Sequence, residues 1–230
     1  MTDLPILAED PSFVVINKPP GLVVNRAQSV VGETVQGWAE SRYHFQGGGD
    51  FVARSGIVHR IDKETSGCLL VAKTESAFTK LQAQFKERSV KKAYLAVAHG
   101  HLVPAEGDIR APVGRLPWNR ERFGILPGGK EAVTRYVVRN NFDRNGQQLA
   151  FIELHPETGR THQIRVHLKY INHPIVGDWQ YAGRKTARAD RIWAPRVMLH
   201  AWKISFLHPE TGSEVAIEAP IPDDMKMILP

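Results

Sequence analysis

A continuous apolar run, Gly67-Cys68-Leu69-Leu70-Val71-Ala72, restricts the fold of this chain more than any other feature. Such a run fits a strand that is covered on both faces, in the middle of a sheet. Other apolar runs predict further strands at 13–16, 22–24, 94–98, 132–139, 148–154 and 199–207. Because strands and helices do not alternate regularly along the sequence, we expect an α+β fold with a mixed sheet.

A helix is predicted directly after this run, because Phe78, Leu81 and Phe85 recur at helical spacing. Thr74 is a suitable N-cap residue, since its hydroxyl can accept a hydrogen bond from the first turn. Ahead of the apolar run, the segment Gly47-Gly48-Gly49-Asp50 predicts a flexible loop.

A second helix is predicted over residues 161–171, where Ile164, Leu168 and Ile171 form one helical stripe. Thr161 is the expected N-cap, and Asn172 with the proline that follows it supplies the stop. A strand stays possible, because part of the segment also alternates. On a helix, three polar side chains would share one face: His162, Arg165 and Lys169.

The chain has 230 residues, of which 42% are hydrophobic and 23% charged, as is usual for a soluble globular protein. We expect a single domain over residues 1–230. No apolar stretch approaches the roughly 20 residues that a membrane span needs, and the first residues do not resemble a signal peptide. The single cysteine, Cys68, excludes an intramolecular disulfide. A reducing cytoplasm is therefore the expected location.

Positive charge is concentrated in one part of the sequence. The net charge is +6, and residues 101–203 alone hold 17 Lys and Arg against 9 Asp and Glu. A basic surface of this kind suits a polyanionic partner, because neutralising phosphates releases condensed counterions. A solvated basic surface without a partner is the alternative interpretation.

The segment 56–67 places seven polar or charged residues directly before the buried strand. A loop at the end of a central strand is a rigid platform for a reacting side chain. Within it, Asp62 lies between the basic residues Arg60 and Lys63, which favour its ionised form. Asp62 and Glu64 also form a carboxylate pair of the kind used in glycoside hydrolysis, but no other feature indicates a carbohydrate cleft.

Five histidines invite a metal-site interpretation: His59, His162, His167, His173 and His200. They lack the His-Glu-x-x-His spacing of a helical zinc pair, and the cysteine ligands of structural zinc sites are missing. We therefore expect no metal.

The polar segment resembles the signature of the RluA-type pseudouridine synthases, in which His-Arg-Leu-Asp is followed by Thr-Ser-Gly. Ile61 takes the leucine position here. Four further stretches are similar to motifs of the same family, in the same order: Val14–Leu22, Lys91–Ala96, Thr158–His167 and His173–Asp178. The resemblance covers about residues 10–208.

The resemblance implies a role for several residues. Asp62 matches the family's catalytic aspartate, Tyr94 a tyrosine that lies against the uracil ring, and Arg165 an arginine that pairs with the aspartate. Arg60 matches an arginine that helps to fill the gap left by the extruded base. Further substrate or RNA contacts are expected from the same motifs: His59, Thr65, Arg160, His162 and Gln163. The implied fold is a curved, mostly antiparallel mixed sheet flanked by helices, with the catalytic cleft across its middle.

Some family members carry a small RNA-binding domain before the catalytic one. Few residues precede the first motif here, so we expect that domain to be absent and basic loops to contact the RNA. One candidate loop holds Arg110, Arg115, Arg120 and Arg122, and the other holds Arg184, Lys185, Arg188, Arg191 and Arg196. Trp118 and Trp193 lie within these loops and either stack on bases or anchor the loops to the core.

Two functional classes follow from this sequence: an RNA pseudouridine synthase, which is an isomerase, and a catalytically idle RNA-binding module of the same fold. Asp62, Tyr94 and Arg165 together favour the enzyme. The reaction exchanges a bond to nitrogen for one to carbon without redox, so no cofactor is expected. The expected partner is ribosomal or transfer RNA, with no membrane and no obligatory protein partner, and the protein is expected to be a monomer.

Overall fold

A computed structural model describes residues 3–27 and 30–230 of the chain. They form two compact units, the first made of the described residues up to 92 together with 201–220, and the second of residues 93–200 and 221–230. The expectation of one catalytic domain over the whole chain stays a prediction. No helix in the described ranges is long and apolar enough to cross a membrane.

Strands predominate over helices in the described residues. The strands are β1 (Ile6–Glu9), β2 (Phe13–Lys18), β3 (Ser66–Ala72), β4 (Lys91–His99), β5 (Glu106–Arg110), β6 (Val113–Leu116), β7 (Asn119–Ile125), β8 (Val133–Arg144), β9 (Gln147–Pro156), β10 (Leu199–Leu207) and β11 (Glu214–Glu218). The helices are α1 (Val35–Arg42), α2 (Gly49–Ala53), α3 (Glu75–Lys86), α4 (Gln163–Tyr170), α5 (Arg184–Asp190) and α6 (Asp223–Lys226). This confirms the α+β class and the predominantly antiparallel sheet.

The first unit is built around β3, whose seven residues are all buried. The strand order is β1-β2-β3-β10, and β11 pairs with β10. The predicted central strand is therefore confirmed. Helix α3 begins after its predicted cap, with the Thr74 hydroxyl accepting from the Ala77 N–H at 3.2 Å. It buries Phe78 and Leu81 in the apolar core of this unit.

Gly67, at the start of β3, stands where no other residue fits. Its φ of +106° is strained for any residue with a side chain, and a Cβ would lie 2.2 Å from the carbonyl oxygen of Ala201. The close approach of two backbones thus explains the glycine that ends the Thr-Ser-Gly motif.

The second unit contains the antiparallel order β4-β9-β8-β5, with a separate hairpin of β6 and β7. The predicted strands near 132–139 and 148–154 correspond to β8 and β9, which are both longer than predicted. Helix α4 buries Ile164, Val166 and Leu168, so the helical interpretation of this segment is confirmed.

The start of α4 differs from the prediction. The N-cap is His162 in the left-handed region, with φ +56° and no side-chain capping bond, and not Thr161. His162 therefore lies outside the helix and shares no helical face with Arg165 and Lys169. The predicted end is confirmed, since Asn172 adopts a left-handed φ of +64° directly after the C-cap.

Three other local predictions were wrong. Residues 22–24 form only an isolated bridge from Val23 to Thr34, because the Val23 carbonyl accepts from the Val35 N–H at 3.0 Å in the first turn of α1. The predicted loop at 47–50 contains the start of α2. The two arginine-rich loops are largely ordered as the strands β5 to β7 and the helix α5.

Candidate functional site

The loop that carries Asp62 directly precedes β3 in the first unit. Ile61 is buried and Arg60 is exposed, with Asp62 half-buried between core and solvent. The Thr65 N–H donates to the backbone carbonyl of Asp62 at 3.1 Å, which closes a turn over residues 62–65, and Thr65 is buried. Asp62 is thus presented by a loop that is anchored on both sides.

Lys18 ties this loop to the end of β2. Its side chain is fully buried, and Nζ donates to the carbonyls of Pro19 at 2.7 Å, Leu22 at 2.9 Å and Lys63 at 3.0 Å. The antiparallel register also places Lys18 opposite Gly67. Two motifs that lie far apart in sequence therefore form one piece of structure.

His59 fastens the loop from its other side. Its Nε2 accepts from the Leu70 N–H at 2.9 Å, and its ring stacks on Phe85 of α3 with centroids 4.7 Å apart. A nitrogen that accepts carries no proton, so this imidazole is neutral. Burial, with a smaller effect of the Lys92 charge, lowers the pKa of His59 to about 3. These contacts hold the loop; RNA contact by His59 stays a prediction.

Arg165 is a buried cation of the second unit, on α4. It donates to Asp178 in a bidentate pair, from Nε to Oδ2 at 2.7 Å and from Nη2 to Oδ1 at 2.9 Å, and Nη2 also donates to Gln180 Oε1 at 2.9 Å. Asp178 is itself fully buried. Its neighbour Gly177 has φ +74° and packs where a Cβ would lie 2.1 Å from the Arg196 carbonyl oxygen. The guanidinium is therefore fixed in one orientation.

Sequence reasoning missed Asp178 and Tyr181 as residues of this cluster. The Tyr181 ring lies under the guanidinium, with Arg165 Cζ 4.9 Å from its centroid. Asp178 ends a motif that resembles the family, which was the one available signal. Tyr181 had none, because its side chain contacts residues that are distant in sequence, namely Phe123, His162 and Arg165.

Gln163 fastens the loop before α4 to β8. Its Oε1 accepts from Thr158 Oγ1 at 2.7 Å, and its Nε2 donates to the Val133 carbonyl at 2.9 Å and to Thr134 Oγ1 at 3.0 Å. The side chain is buried. The arrangement orders the segment that leads into Arg165, and the expected RNA contact of Gln163 is untested.

The remaining predicted site residues of the second unit are more open. Tyr94 is half-buried on β4, where it pairs with Leu154 of β9. Arg160 is also half-buried, and its Nε donates to the Glu131 carbonyl at 3.0 Å. His162 Nδ1 lies 2.8 Å from the Tyr181 hydroxyl. Asp62 and Thr65 belong to the first unit, so the predicted residues fall into two groups.

The hairpin of β6 and β7 presents basic and aromatic side chains to solvent. Arg115 and Arg120 are exposed, and Trp118 is 76% exposed. This exposure excludes a core-anchoring role for Trp118. Trp193 is half-buried instead, with Arg144 Cζ 5.7 Å from its ring centroid.

The predicted basic segment around α5 divides into exposed and anchored side chains. Lys185 and Arg188 are exposed, whereas Arg191 donates from Nε to the Gly177 carbonyl at 2.9 Å. The prediction that Arg196 contacts RNA was wrong: it is buried and donates from Nε to Asp224 Oδ2 at 2.6 Å. The Arg196 guanidinium is therefore paired with a carboxylate of α6.

Residues 3–27 and 30–230 contain no group of three His, Cys, Asp or Glu side chains that could hold an ion. His167 makes hydrogen bonds within the fold: its Nε2 hydrogen-bonds the Ala111 carbonyl at 3.0 Å, and its Nδ1 lies 2.9 Å from Thr134 Oγ1. Burial lowers the pKa of this histidine.

Comparison with known proteins connects these motifs to one family. The family model for RNA pseudouridylate synthase matches residues 12–170. The ribosomal large subunit pseudouridine synthase D of Neisseria meningitidis is 42% identical over 98% of this chain and 60% of the relative. The uncharacterized RNA pseudouridine synthase YlyB of Bacillus subtilis is 41% identical over 99% of this chain and 72% of the relative.

Among solved structures, human RNA pseudouridylate synthase domain containing 1 is similar in fold. It has a TM-score of 0.77 and 31% identity, with 95% of this chain and 83% of that chain covered. The chain spans about 60% of the length of the Neisseria relative.

Proposed function

The chain belongs to the RNA pseudouridylate synthase family, and on that premise we propose that it isomerises uridine to pseudouridine in RNA. The proposed catalytic residues are Asp62, Tyr94 and Arg165, acting in one catalytic domain. The observation that carries the proposal is the anchoring of the Asp62 loop by Lys18 Nζ on the Lys63 carbonyl at 3.0 Å and by His59 on the Leu70 N–H at 2.9 Å. A catalytic carboxylate needs such a fixed backbone.

The reaction breaks the bond between ribose C1′ and uracil N1, turns the ring, and joins C1′ to C5. The hydrogen on C5 leaves to solvent, and N1 acquires a proton, so atoms balance without a redox step. An ionised Asp62 can attack the ribose, attack the ring, or remove a sugar proton. Each of these roles requires a carboxylate whose charge and position are maintained.

Arg165 is proposed to maintain that charge by pairing with Asp62. Its bidentate pair with Asp178 supports a positioning role, because a guanidinium held at Nε and Nη2 keeps one orientation. Tyr94 offers a flat face for the uracil ring and a hydroxyl for proton transfer. A uracil within a folded RNA must leave its stack to reach these groups, and the exposed Arg60 is proposed to fill the gap.

Ribosomal RNA of the large subunit is the proposed substrate, because the Neisseria relative is named for that RNA. Transfer RNA is the second substrate to test. We propose a cytoplasmic monomer that needs no cofactor and no protein partner, with the exposed side chains of the β6–β7 hairpin and of α5 on the RNA.

Tritium release from uridine labelled at C5 tests the activity directly. The purified chain should release tritium from transcribed large-subunit RNA in the presence of a chelator. Pseudouridine mapping in total RNA from cells with and without the gene then identifies the site. Tight RNA binding without any release or any lost site would favour an idle RNA-binding module.

A further inference from the structure

The hydroxyl of Tyr181 joins the β6–β7 hairpin to the start of α4. The Phe123 N–H of β7 donates to Tyr181 Oη at 3.2 Å, and His162 Nδ1 lies 2.8 Å from the same oxygen. Phe123 and His162 also pack edge to face, with ring centroids 5.6 Å apart. One phenol thus connects a strand of the hairpin with the residue that caps the helix of Arg165.

The ring and the backbone of Tyr181 meet the arginine itself. Arg165 Cζ lies 4.9 Å from the ring centroid, within the range of a cation–π contact. The Tyr181 N–H donates at 3.2 Å to Asp178 Oδ1, the oxygen that also accepts from Arg165 Nη2. Any shift of Tyr181 is therefore felt by both members of the buried ion pair.

The hairpin end of this connection carries the exposed side chains. Arg115 of β6 lies over the Phe123 ring, with Cζ 5.1 Å from the centroid, and Trp118 is exposed at the turn. Tyr181 packs in one small apolar cluster with Val113 of β6 and Val166 of α4. A continuous set of contacts therefore leads from the exposed hairpin to Arg165.

We propose that Tyr181 is a positioning residue that couples the β6–β7 hairpin to Arg165, so that RNA seated on the hairpin steadies the guanidinium. This inference rests on the proposed function. Tyr181 is not expected to touch the reacting atoms. The Tyr181 hydroxyl is hydrogen-bonded to the hairpin, and the Tyr181 ring contacts the Arg165 guanidinium, so a change in the hairpin moves the ring against the arginine.

Tyr181→Phe tests the coupling, because it keeps the ring and the packing and removes only the hydroxyl. Loss of one hydrogen bond should speed hydrogen exchange at the Phe123 amide about fivefold. The Nε–H resonance of Arg165 should shift as the ring moves. With structured RNA, kcat should fall on the order of tenfold while KM changes less.

Tyr136→Phe is the matched control, since Tyr136 is a buried tyrosine on β8 of the same unit. It should alter neither the hairpin amides nor the Arg165 resonance. Unchanged Phe123 exchange in Tyr181→Phe would overturn the coupling, and so would faster exchange with an unmoved Arg165 resonance. Neither the exchange rate of the Phe123 amide nor the Arg165 resonance depends on catalysis. A wild-type protein without activity would therefore refute the proposed function, and these two measurements would still decide whether Tyr181 couples the hairpin to Arg165.

Discussion

Asp178 holds Arg165 through two parallel hydrogen bonds, from Nε to Oδ2 at 2.7 Å and from Nη2 to Oδ1 at 2.9 Å, with both side chains buried. A buried ion pair is a weak source of net stability, but removing one partner leaves an uncompensated charge. The pair therefore fixes geometry more than it adds stability.

Asp178→Asn should unfold much more readily than the wild type, by about 3–5 kcal/mol, because the Arg165 charge loses its buried partner. Urea denaturation measures the difference. Asp108→Asn is the control, since Asp108 pairs with Arg110 at 2.7 Å on the surface and should change stability little. Equal midpoints for the two variants would contradict the prediction.

Asp62→Asn should abolish tritium release, because the amide keeps the shape but loses the charge and most of the nucleophilicity and basicity. The fold should survive, since Thr65 and Lys18 hold the loop through backbone carbonyls. RNA affinity should also survive, because phosphate contacts supply most of it. Appreciable release by folded Asp62→Asn protein would refute the catalytic assignment.

Arg60→Ala should reduce turnover on structured RNA more than on a flexible single strand. Only the structured substrate loses stacking when a base is extruded, and the exposed Arg60 is proposed to compensate for it. Comparing kcat/KM for a stem-loop and an unstructured oligonucleotide tests this. Equal losses on both substrates would assign Arg60 to loop structure instead.

Because of His59, the folded protein should become less stable as the pH is lowered below neutral. Its folded pKa of about 3 lies below its ordinary value of 6.5. Between pH 6.5 and pH 3, the unfolded chain therefore binds a proton at His59 that the folded chain does not bind. The free energy of unfolding falls as pH is lowered through this range. His59→Gln keeps an acceptor for the Leu70 N–H without titrating. Urea midpoints at pH 7.5 and pH 5 should differ less in this variant, and an unchanged difference would contradict the assignment.

RNA affinity should depend on salt through the exposed side chains of α5. Each lost phosphate contact should reduce the slope of log K against log salt by about 0.7–0.9. Replacing Lys185 and Arg188 by Ala should therefore flatten the slope. Lys226→Ala, which removes the partner of Asp223 on α6, should leave it unchanged. A slope unaffected by the double substitution would place the RNA surface elsewhere.

Local patterns predicted the elements that local interactions determine. The buried strand β3 and the capped helix α3 both follow from residues within a few positions of one another. The segment 22–24 could not be assigned, because the Val23 carbonyl accepts from the first turn of α1, beyond the reach of periodicity. The cap of α4 was misplaced for a related reason, since His162 lies against Tyr181, nineteen positions later.

The site shows the same division. Asp62 could be proposed from its motif, because that motif is a run of consecutive residues. The partners that orient Arg165 could not, since Asp178 and Tyr181 reach it only through the folding of the segment between α4 and α5. Arg196 was assigned to RNA from charge alone, and its partner Asp224 lies far along the chain.

The anchoring of the Asp62 loop by Lys18 sets a limit on how this protein can evolve. A compact ammonium on a flexible stem directs its hydrogens to three carbonyls, those of Pro19, Leu22 and Lys63. A guanidinium of the same charge is planar and wider, and it does not fit a fully buried position shaped around a compact ammonium. A residue that keeps the positive charge is therefore not sufficient to hold the loop at this position. We expect selection to remove a change to arginine as strongly as a change to a neutral residue.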